Sequence, residues 1–144
     1  MKKFFLLSVA VLGIAGGLIL LASATGAAQE PAQKEPYTLT SFGPWNAEVA
    51  AKHIPQVSFE RKGAGLAVTV KVDNHPMDAA KPHFIMWIRV EDAGGKVLAK
   101  HDFKATDPAP TATFQLATWP AKLKVLERCN LHGIWLNEVE VKLK

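Results

Sequence analysis

The only cysteine of this 144-residue chain lies three residues before a histidine, in the segment Cys129-Asn130-Leu131-His132-Gly133. A thiolate and an imidazole at this spacing can both reach one metal ion from a tight turn, and Gly133 lets the backbone bend there. Taken alone, such a pair is a weak motif, because a buried cysteine beside an unrelated histidine is common. The other histidines therefore decide whether a metal site is expected.

Four more histidines lie upstream of this pair: His53, His75, His83 and His101. Three of them stand in short motifs: Lys52-His53-Ile54-Pro55, His75-Pro76-Met77 and His83-Phe84-Ile85-Met86-Trp87-Ile88. In this order, and followed by Cys-Asn-x-His-Gly-x-Trp, the motifs resemble those of the superoxide reductases, the neelaredoxin and desulfoferrodoxin family. The resemblance covers Trp45 to Lys144.

The resemblance implies a mononuclear non-haem iron centre with four equatorial imidazoles and one axial thiolate. Matched position by position, the ligands would be His53, His75, His83, His132 and Cys129. Imidazole nitrogens suit ferrous iron, and a thiolate donates electron density toward the open position opposite it. The implied activity is that of an oxidoreductase of oxidative-stress defence. It reduces superoxide to hydrogen peroxide by one electron, while iron cycles between Fe2+ and Fe3+ and an external electron donor restores Fe2+.

Lys52 stands immediately before the first of these histidines. The resemblance implies that it attracts the superoxide anion and assists its protonation, and a positive charge beside an open metal raises the rate of anion arrival. The alternative is an ordinary solvated surface lysine. His101 matches no ligand of the family, so we interpret it as a structural or surface residue.

Further residues are expected to surround the site. Backbone N–H groups near Leu131 and His132 can donate hydrogen bonds to the Cys129 sulfur and tune its electron donation. Trp87 and Trp135 are expected to pack against the site, although core packing alone would also place aromatic residues on strands. These expectations come from turn geometry and strand position.

The sequence departs from the family pattern in three places. Ala51 stands where the family commonly has a glutamate that fills the sixth position of the oxidised iron, and Glu48 is the nearest upstream carboxylate. The spacing from His75 to His83 is longer than usual, which leaves the orientation of His83 open. The N-terminal four-cysteine iron module of desulfoferrodoxins is absent because the chain has one cysteine, so the one-iron class is expected.

The elements that must position these residues are strands. Alternating apolar and polar residues recur about 8–12 residues apart beyond residue 54, a pattern typical of a sandwich. The runs cover residues 57–59, 66–72, 84–90, 97–103, 112–116, 123–125 and 135–143. This predicts an all-β fold, an immunoglobulin-like antiparallel β-sandwich of about seven strands, and the resemblance implies the same architecture. The pattern between Tyr37 and Ile54 is irregular.

The predicted strands place the candidate ligands at strand ends or in loops. His53 precedes the first strand, His75 lies in a loop and His83 opens a strand. Cys129 and His132 flank a turn. Loops at one rim of a rigid sandwich commonly present a functional site, so the five residues are expected to meet there.

The N-terminus has the features of an export signal. Met1-Lys2-Lys3 precedes an apolar run from Phe4 to Leu21, followed by small-residue cleavage sites at Ala22-Ser23-Ala24 and Ala27-Ala28. We predict a signal peptide or N-terminal membrane anchor over residues 1–28, a linker and N-terminal arm over 29–44, and the superoxide reductase-like iron-binding domain over 45–144. The protein is expected in the periplasm or another extracytoplasmic compartment, free or anchored through residues 4–21.

Charge excludes one class of partner. The net charge is +4, and removing residues 1–28 takes away two lysines and no acids, which leaves 15 − 13 = +2. That value, without an Arg-rich stripe, does not fit a nucleic-acid binder. A single cysteine cannot form an internal disulfide, and metal ligation is one way to protect it outside the cytoplasm.

Other sandwich proteins could use similar residues. A cupredoxin-like copper electron carrier would need Cys129, two histidines and a weak axial methionine, yet no methionine follows His132. A structural zinc site would be closed and would leave one candidate ligand unused. A binding sandwich without catalysis is the remaining alternative. The sequence does not identify the electron donor. Members of the family form dimers or tetramers, so the resemblance implies a homo-oligomer.

Overall fold

Seven strands and one short helix make up the part of the chain that the computed structural model describes, residues 35–143. The helix α1 spans Ala47–His53. The strands are β1 Gln56–Lys62, β2 Gly65–Lys71, β3 Ile85–Asp92, β4 Val97–Asp102, β5 Thr111–Leu116, β6 Lys122–Cys129 and β7 Gly133–Glu140. They form a three-stranded sheet in the order β1-β2-β5 and a four-stranded sheet in the order β4-β3-β6-β7. The expected all-β sandwich is confirmed.

The core lies between the two sheets because alternate residues of each strand face inward. In the three-stranded sheet, Val68 of β2 stands opposite Phe59 of β1 and Phe114 of β5, so the three side chains share one face. In the four-stranded sheet, the fully buried Val90 of β3 stands opposite the fully buried Val125 of β6. Every pair within the sheets is antiparallel, so hairpins and short connections return to the same two ends of the sandwich.

Strand β3 departs from strict alternation at the end nearest the candidate ligands. Its pairing with β6 shifts register between Ile85 and Trp87, and Ile85 and Ile88 are both fully buried. The sequence pattern had grouped Phe84 and Met86 with Ile88, but both are only partly buried. A one-residue irregularity reverses which residues face the core, which simple period-two counting cannot detect.

Helix α1 occupies a segment whose pattern looked irregular. The Asn46 side chain accepts a hydrogen bond from the Val49 N–H at 2.9 Å and so caps the first turn. Ala50 and His53 are the buried residues of the helix, one turn apart on the same face. Ile54 then adopts an extended conformation before Pro55, which ends the helix. Seven residues are too few for a clear helical period, so the apolar pattern did not predict this helix.

The arm before the helix attaches to the edge of the four-stranded sheet. The Tyr37 N–H donates to the Ile134 carbonyl and the Tyr37 carbonyl accepts from the Leu136 N–H, both at 2.8 Å. The Tyr37 ring lies 5.1 Å from that of Trp135. Part of the predicted 29–44 arm is thus held against β7, the strand that follows the Cys129 turn.

The predicted export segment, residues 1–28, lies outside the described residues. Within residues 35–143 no helix is long and apolar enough to cross a membrane. The proposed signal peptide or anchor therefore stays a prediction from the N-terminal sequence alone.

Removing the helix cap should destabilise the domain. We expect Asn46→Ala to lower the free energy of unfolding of the apo protein by about 1 kcal/mol, because one helical N–H loses its acceptor. Asn46→Asp keeps a side-chain oxygen at the same place and should stay within a few tenths of a kcal/mol of the wild type. Urea unfolding followed by circular dichroism measures both. Equal losses in the two variants would show that the cap is not the stabilising contact.

Candidate metal centre

The five residues predicted as ligands meet at one end of the sandwich. Each offers one ligand atom, and these atoms all lie within 4.8 Å of one another. The residues are His53, His75, His83, Cys129 and His132. They come from the end of α1, the loop between β2 and β3, the end of β6 and the turn into β7. The end of an antiparallel strand lies beside the start of its neighbour, so this topology brings them together.

Backbone turns complete this arrangement. Asn74, immediately before His75, has a φ of 62°, in the left-handed region that asparagine adopts more often than most residues, so the chain turns there. Gly133 has a φ of 80°, a conformation that residues with a side chain rarely adopt. The bend expected at Gly133 from the sequence is therefore present. The residue before it, His132, lies with its Nδ1 atom 3.4 Å from the Cys129 sulfur.

In two of the histidines, a backbone carbonyl determines which ring nitrogen carries the proton and which keeps its lone pair. The Nδ1 atom of His53 lies 2.7 Å from the Val49 carbonyl, and that of His75 lies 2.7 Å from the Pro76 carbonyl. A carbonyl only accepts, so each Nδ1 carries the proton and each Nε2 keeps its lone pair. Both Nε2 atoms are buried and have no hydrogen-bond partner among residues 35–143. A buried acceptor without a partner is unfavourable, and a metal ion would satisfy both atoms.

The four imidazoles form a closed circuit. Successive ring centroids, in the order His53, His75, His83, His132 and back to His53, lie 4.6 to 4.9 Å apart and the rings cross at 65° to 82°. The His83 Nε2 atom lies 3.2 Å from the His132 Nδ1 atom, which in turn lies 3.4 Å from the Cys129 Sγ atom. Four nitrogen donors and one sulfur donor thus face one small volume, a set that fits iron bound by imidazole and thiolate.

Burial sets the protonation of the imidazoles. Burial and, to a smaller extent, the nearby histidines lower the pKa of His53 to about 4 and that of His75 to about 3, although the hydrogen bond of each ring to a backbone carbonyl opposes the shift. Burial also lowers the pKa of His83 and of His132. All four rings are therefore neutral at pH 7, the state in which imidazole binds a metal.

The Cys129 thiol responds in the opposite sense. Burial raises its pKa to about 11, although the N–H groups of Leu131 and His132 oppose the shift. The Leu131 N–H lies 3.4 Å from the sulfur, so the expected backbone donor is present. At neutral pH the apo protein holds a thiol, and a cation must replace its proton before the sulfur can bind as a thiolate.

Two tryptophan side chains contact the histidines of the cluster. Trp135 stacks on His53 with the centroids 5.1 Å apart, and its indole N–H donates to the His132 carbonyl at 3.1 Å. Trp45 meets His132 edge-on at 4.7 Å. The Trp87 ring lies within cation–π distance of Arg89 on its own strand and of Lys100 on β4. The expectation for Trp135 is confirmed, that for Trp87 stays a prediction, and the spacing of Trp45 did not indicate its contact with His132.

A buried carboxyl group behind the cysteine was also missed. Glu127 is fully buried on β6, and neither of its carboxylate oxygens has a hydrogen-bond partner in the described part of the chain. Burial raises its pKa well above the usual range, which favours the protonated form of the group. The signal was available, because Leu123, Val125, Glu127 and Cys129 alternate on the inward face of one strand.

Lys52 and His101 lie outside the cluster. Lys52 occupies the last turn of α1 beside His53, and its Nζ atom lies 2.7 Å from a carboxylate oxygen of Glu48. Both side chains are exposed, at 48% and 76%, and the hydrogen bond to Lys52 lowers the pKa of Glu48. Ala51 is exposed on the same helix. His101 is exposed on β4, with its ring 4.5 Å from that of Phe103.

The sequence of this chain is similar to those of desulfoferrodoxins and superoxide reductases. The Desulfoferrodoxin family model matches residues 46–138, which include the whole cluster. The desulfoferrodoxin of Syntrophotalea carbinolica is 41% identical over 87 residues, 60% of this chain and 62% of that protein. The superoxide reductase of Pyrococcus abyssi is 32% identical over 111 residues, 69% of this chain and 93% of that protein. The chain thus spans less than two thirds of the first relative and nearly all of the second.

Solved structures give the same match at the level of the fold. The superoxide reductase (neelaredoxin) of Ignicoccus hospitalis superposes with a TM-score of 0.60 at 28% identity, over 76% of this chain and 95% of that one. The superoxide reductase of Nanoarchaeum equitans superposes with a TM-score of 0.58 at 26% identity, over 74% of this chain and 100% of that one. The β-sandwich and its connections are therefore shared with these proteins.

Metal binding should release one proton. At pH 7.5 the four imidazoles are already neutral and the Cys129 thiol is protonated, so each Co2+ ion taken up by the apo protein should displace one proton, from the sulfur. Titration calorimetry in buffers of different ionisation enthalpy measures this number. Apparent affinity should rise about tenfold per pH unit until the pH nears the thiol pKa. Cys129→Ser should release almost none. Proton release that is absent in the wild type, or unchanged in the variant, would contradict a thiolate ligand.

Proposed function

This chain belongs to the desulfoferrodoxin family of superoxide reductases, which are oxidoreductases, and we propose that it reduces superoxide to hydrogen peroxide at a mononuclear iron centre. The ligands would be His53, His75, His83, His132 and Cys129. The observation that carries this proposal is the convergence of those five donor atoms within 4.8 Å, with two imidazole lone pairs already aimed inward and unpaired.

The reaction requires one electron and two protons for each superoxide. When bound, iron supplies that electron to superoxide as Fe2+, and an external donor returns one electron to the resulting Fe3+. The protons come from solvent, so atoms and charge balance as superoxide, one electron and two protons giving hydrogen peroxide. The chain must therefore provide a site that is open to a small anion and to a donor, yet fixes its ligands.

The residues of the chain divide this work. Neutral imidazoles hold the metal without adding positive charge that would repel it. The Leu131 N–H supports negative charge on the Cys129 sulfur and moderates its electron donation. Stacking by Trp135 fixes the plane of His53, and the carbonyl bonds to both Nδ1 atoms fix the tautomers. Lys52 stands at the exposed edge, where its charge attracts an anion.

A copper electron carrier fits this arrangement less well. Such a site uses two imidazoles, a thiolate and a weak axial group. Here four imidazoles form one closed circuit of similar spacings, so two rings would be left without a role. A closed structural zinc site would likewise leave one donor of the five unused.

We place the reaction outside the cytoplasm. The basic residues Lys2 and Lys3, the apolar run that follows them and the small residues near Ala24 support export of the domain. The donor would then be an extracytoplasmic or membrane-bound carrier, and the domain would be free or anchored through residues 4–21. A homo-oligomer stays a prediction from the family resemblance.

Product stoichiometry tests the proposed reaction. Iron-loaded protein supplied anaerobically with a one-electron donor should form one hydrogen peroxide for each superoxide consumed, with no oxygen released. A dismutase would release one oxygen and one peroxide for every two superoxide anions. Cys129→Ser should abolish the activity, whereas His101→Ala, in an exposed histidine outside the cluster, should leave it unchanged. Oxygen release at the dismutase ratio would overturn the proposal.

The role of Lys52 is tested by its charge. We expect Lys52→Ala to slow the second-order reaction with superoxide and to flatten its dependence on ionic strength, while iron content stays normal. Glu48→Gln removes the partner carboxylate and should make the reaction faster and more salt-sensitive. Pulse radiolysis at several salt concentrations measures both rates.

A second exposed pair provides the control. Lys62 and Glu60 form an ion pair of the same 2.7 Å length on β1. The variant Glu60→Gln makes the same change in net charge as Glu48→Gln but leaves the Lys52–Glu48 pair intact, so we expect it to leave the reaction rate nearly unchanged. If the two glutamine variants behave alike, net charge rather than Lys52 controls the rate.

A further inference from the structure

The loop that carries His83 is held by one side chain from the cysteine turn. We propose that Asn130 is a positioning residue that fixes His83 at the metal centre by binding the chain on both sides of it. This inference rests on the proposed function in one respect, that His83 is a metal ligand. The longer spacing between His75 and His83 had left the orientation of His83 open.

The contacts of Asn130 surround His83. Its side-chain Nδ2 donates to the Pro82 carbonyl at 2.8 Å, and its Oδ1 accepts from the Phe84 N–H at 2.9 Å. Its own backbone N–H donates to the Phe84 carbonyl at 3.2 Å. A single amide thus holds the residue before His83 and the residue after it. Only a side chain with both a donor and an acceptor can make this pair of bonds.

His83 needs such support because it lies outside the sheet. Strand β3 begins at Ile85, whose partner is Cys129, so the ladder stops two residues before reaching His83. A residue beyond the last ladder bond is free to fray unless other contacts hold it. On its other side, the backbone of His83 exchanges two hydrogen bonds with that of Asp78, at 3.2 and 3.3 Å.

Asp78 orders the rest of the longer loop. Its Oδ1 atom accepts from the N–H groups of Ala80 and Lys81, at 2.8 and 3.0 Å. The extra residues between the two histidines therefore fold into a turn closed by the Asp78–His83 bridge. This turn leaves Pro82 next to the Asn130 amide. The longer spacing is thus accommodated without moving His83 out of the circuit.

Asn130 also follows Cys129 directly in the chain, so its clamp relates two ligands that are far apart in sequence. Cys129 is fixed by its ladder partner Ile85, and the amide then fixes the segment that carries His83. Groups that orient a ligand without touching the metal typically change metal affinity about 10–100-fold when removed. If Asn130 instead only stabilises the turn, its removal would weaken metal binding whether or not His83 is present.

A double-mutant cycle separates these two roles. We expect Asn130→Ala to weaken Co2+ binding about 10–100-fold in the wild type and in a His75→Ala background, measured by chelator competition. In a His83→Ala background the same change should cost less than about twofold, because the residue it positions is absent. The thiolate-to-cobalt absorption band should shift in the first two proteins only. An equal loss of affinity in the His83→Ala background would overturn the proposal.

If Asn130→Ala folds poorly, the variant Asn130→Asp tests the clamp in its place, and where Asn130→Ala folds, amide exchange gives a second test. Asn130→Asp keeps the acceptor for the Phe84 N–H and sets an oxygen against the Pro82 carbonyl, so it should also weaken Co2+ binding. Asp78→Asn keeps its acceptor and should bind as the wild type does. In the folded apo protein, amide exchange at Phe84 should accelerate at least tenfold in Asn130→Ala. Unchanged protection of that amide would contradict the clamp.

Failure of this inference and failure of the proposed function give different results. If superoxide is reduced but the cycle shows no Asn130–His83 coupling, only the clamp is wrong. If the coupling is present but no peroxide is formed from superoxide, the clamp stands and the reaction assignment fails.

Discussion

The burial of four imidazoles and one thiol against one another is the constraint on which the rest of this structure depends. Removing these groups from water lowers the pKa of His53 and His75 to about 4 and about 3 and raises that of Cys129 to about 11. The cluster is therefore uncharged without a metal, and the Nε2 lone pairs of His53 and His75 have no protein partner among residues 35–143. Such a cluster is costly to bury and gains most from a cation that binds nitrogen and sulfur together.

The sandwich brings the five residues together because they lie at or next to the ends of its helix and strands. The start of β3, the end of β6 and the start of β7 lie side by side in one sheet. Helix α1 ends just before β1, and its last residue, His53, stacks on Trp135 of β7. Backbone carbonyls, rather than other side chains, fix the tautomers of His53 and His75. The geometry of the site therefore depends on the backbone path near each ligand, and a small shift of a loop would be felt directly at the donor atoms.

Apolar alternation was enough to predict the fold class, because it follows from the pleat of a strand. The five clustered residues were predicted through the family resemblance that the order of their motifs carries, since a lone cysteine near one histidine is a weak signal by itself. Helix α1 was not predicted, because its seven residues are too few to show a helical period and its cap, Asn46, is a single residue. Trp45 and Asn130 were not assigned roles because their contacts join segments far apart in the chain. Glu127 was detectable, as a carboxyl group on an inward strand position.

We propose that one iron ion is held by the four imidazoles and by the sulfur of Cys129. Iron K-edge X-ray absorption of the iron-loaded protein tests this most directly, since it counts the atoms bound to the metal. We predict one sulfur and four imidazole nitrogens in the wild type, and loss of the sulfur in Cys129→Ser with the imidazole scattering retained. A wild-type spectrum without sulfur, or sulfur that persists in Cys129→Ser, would contradict the account.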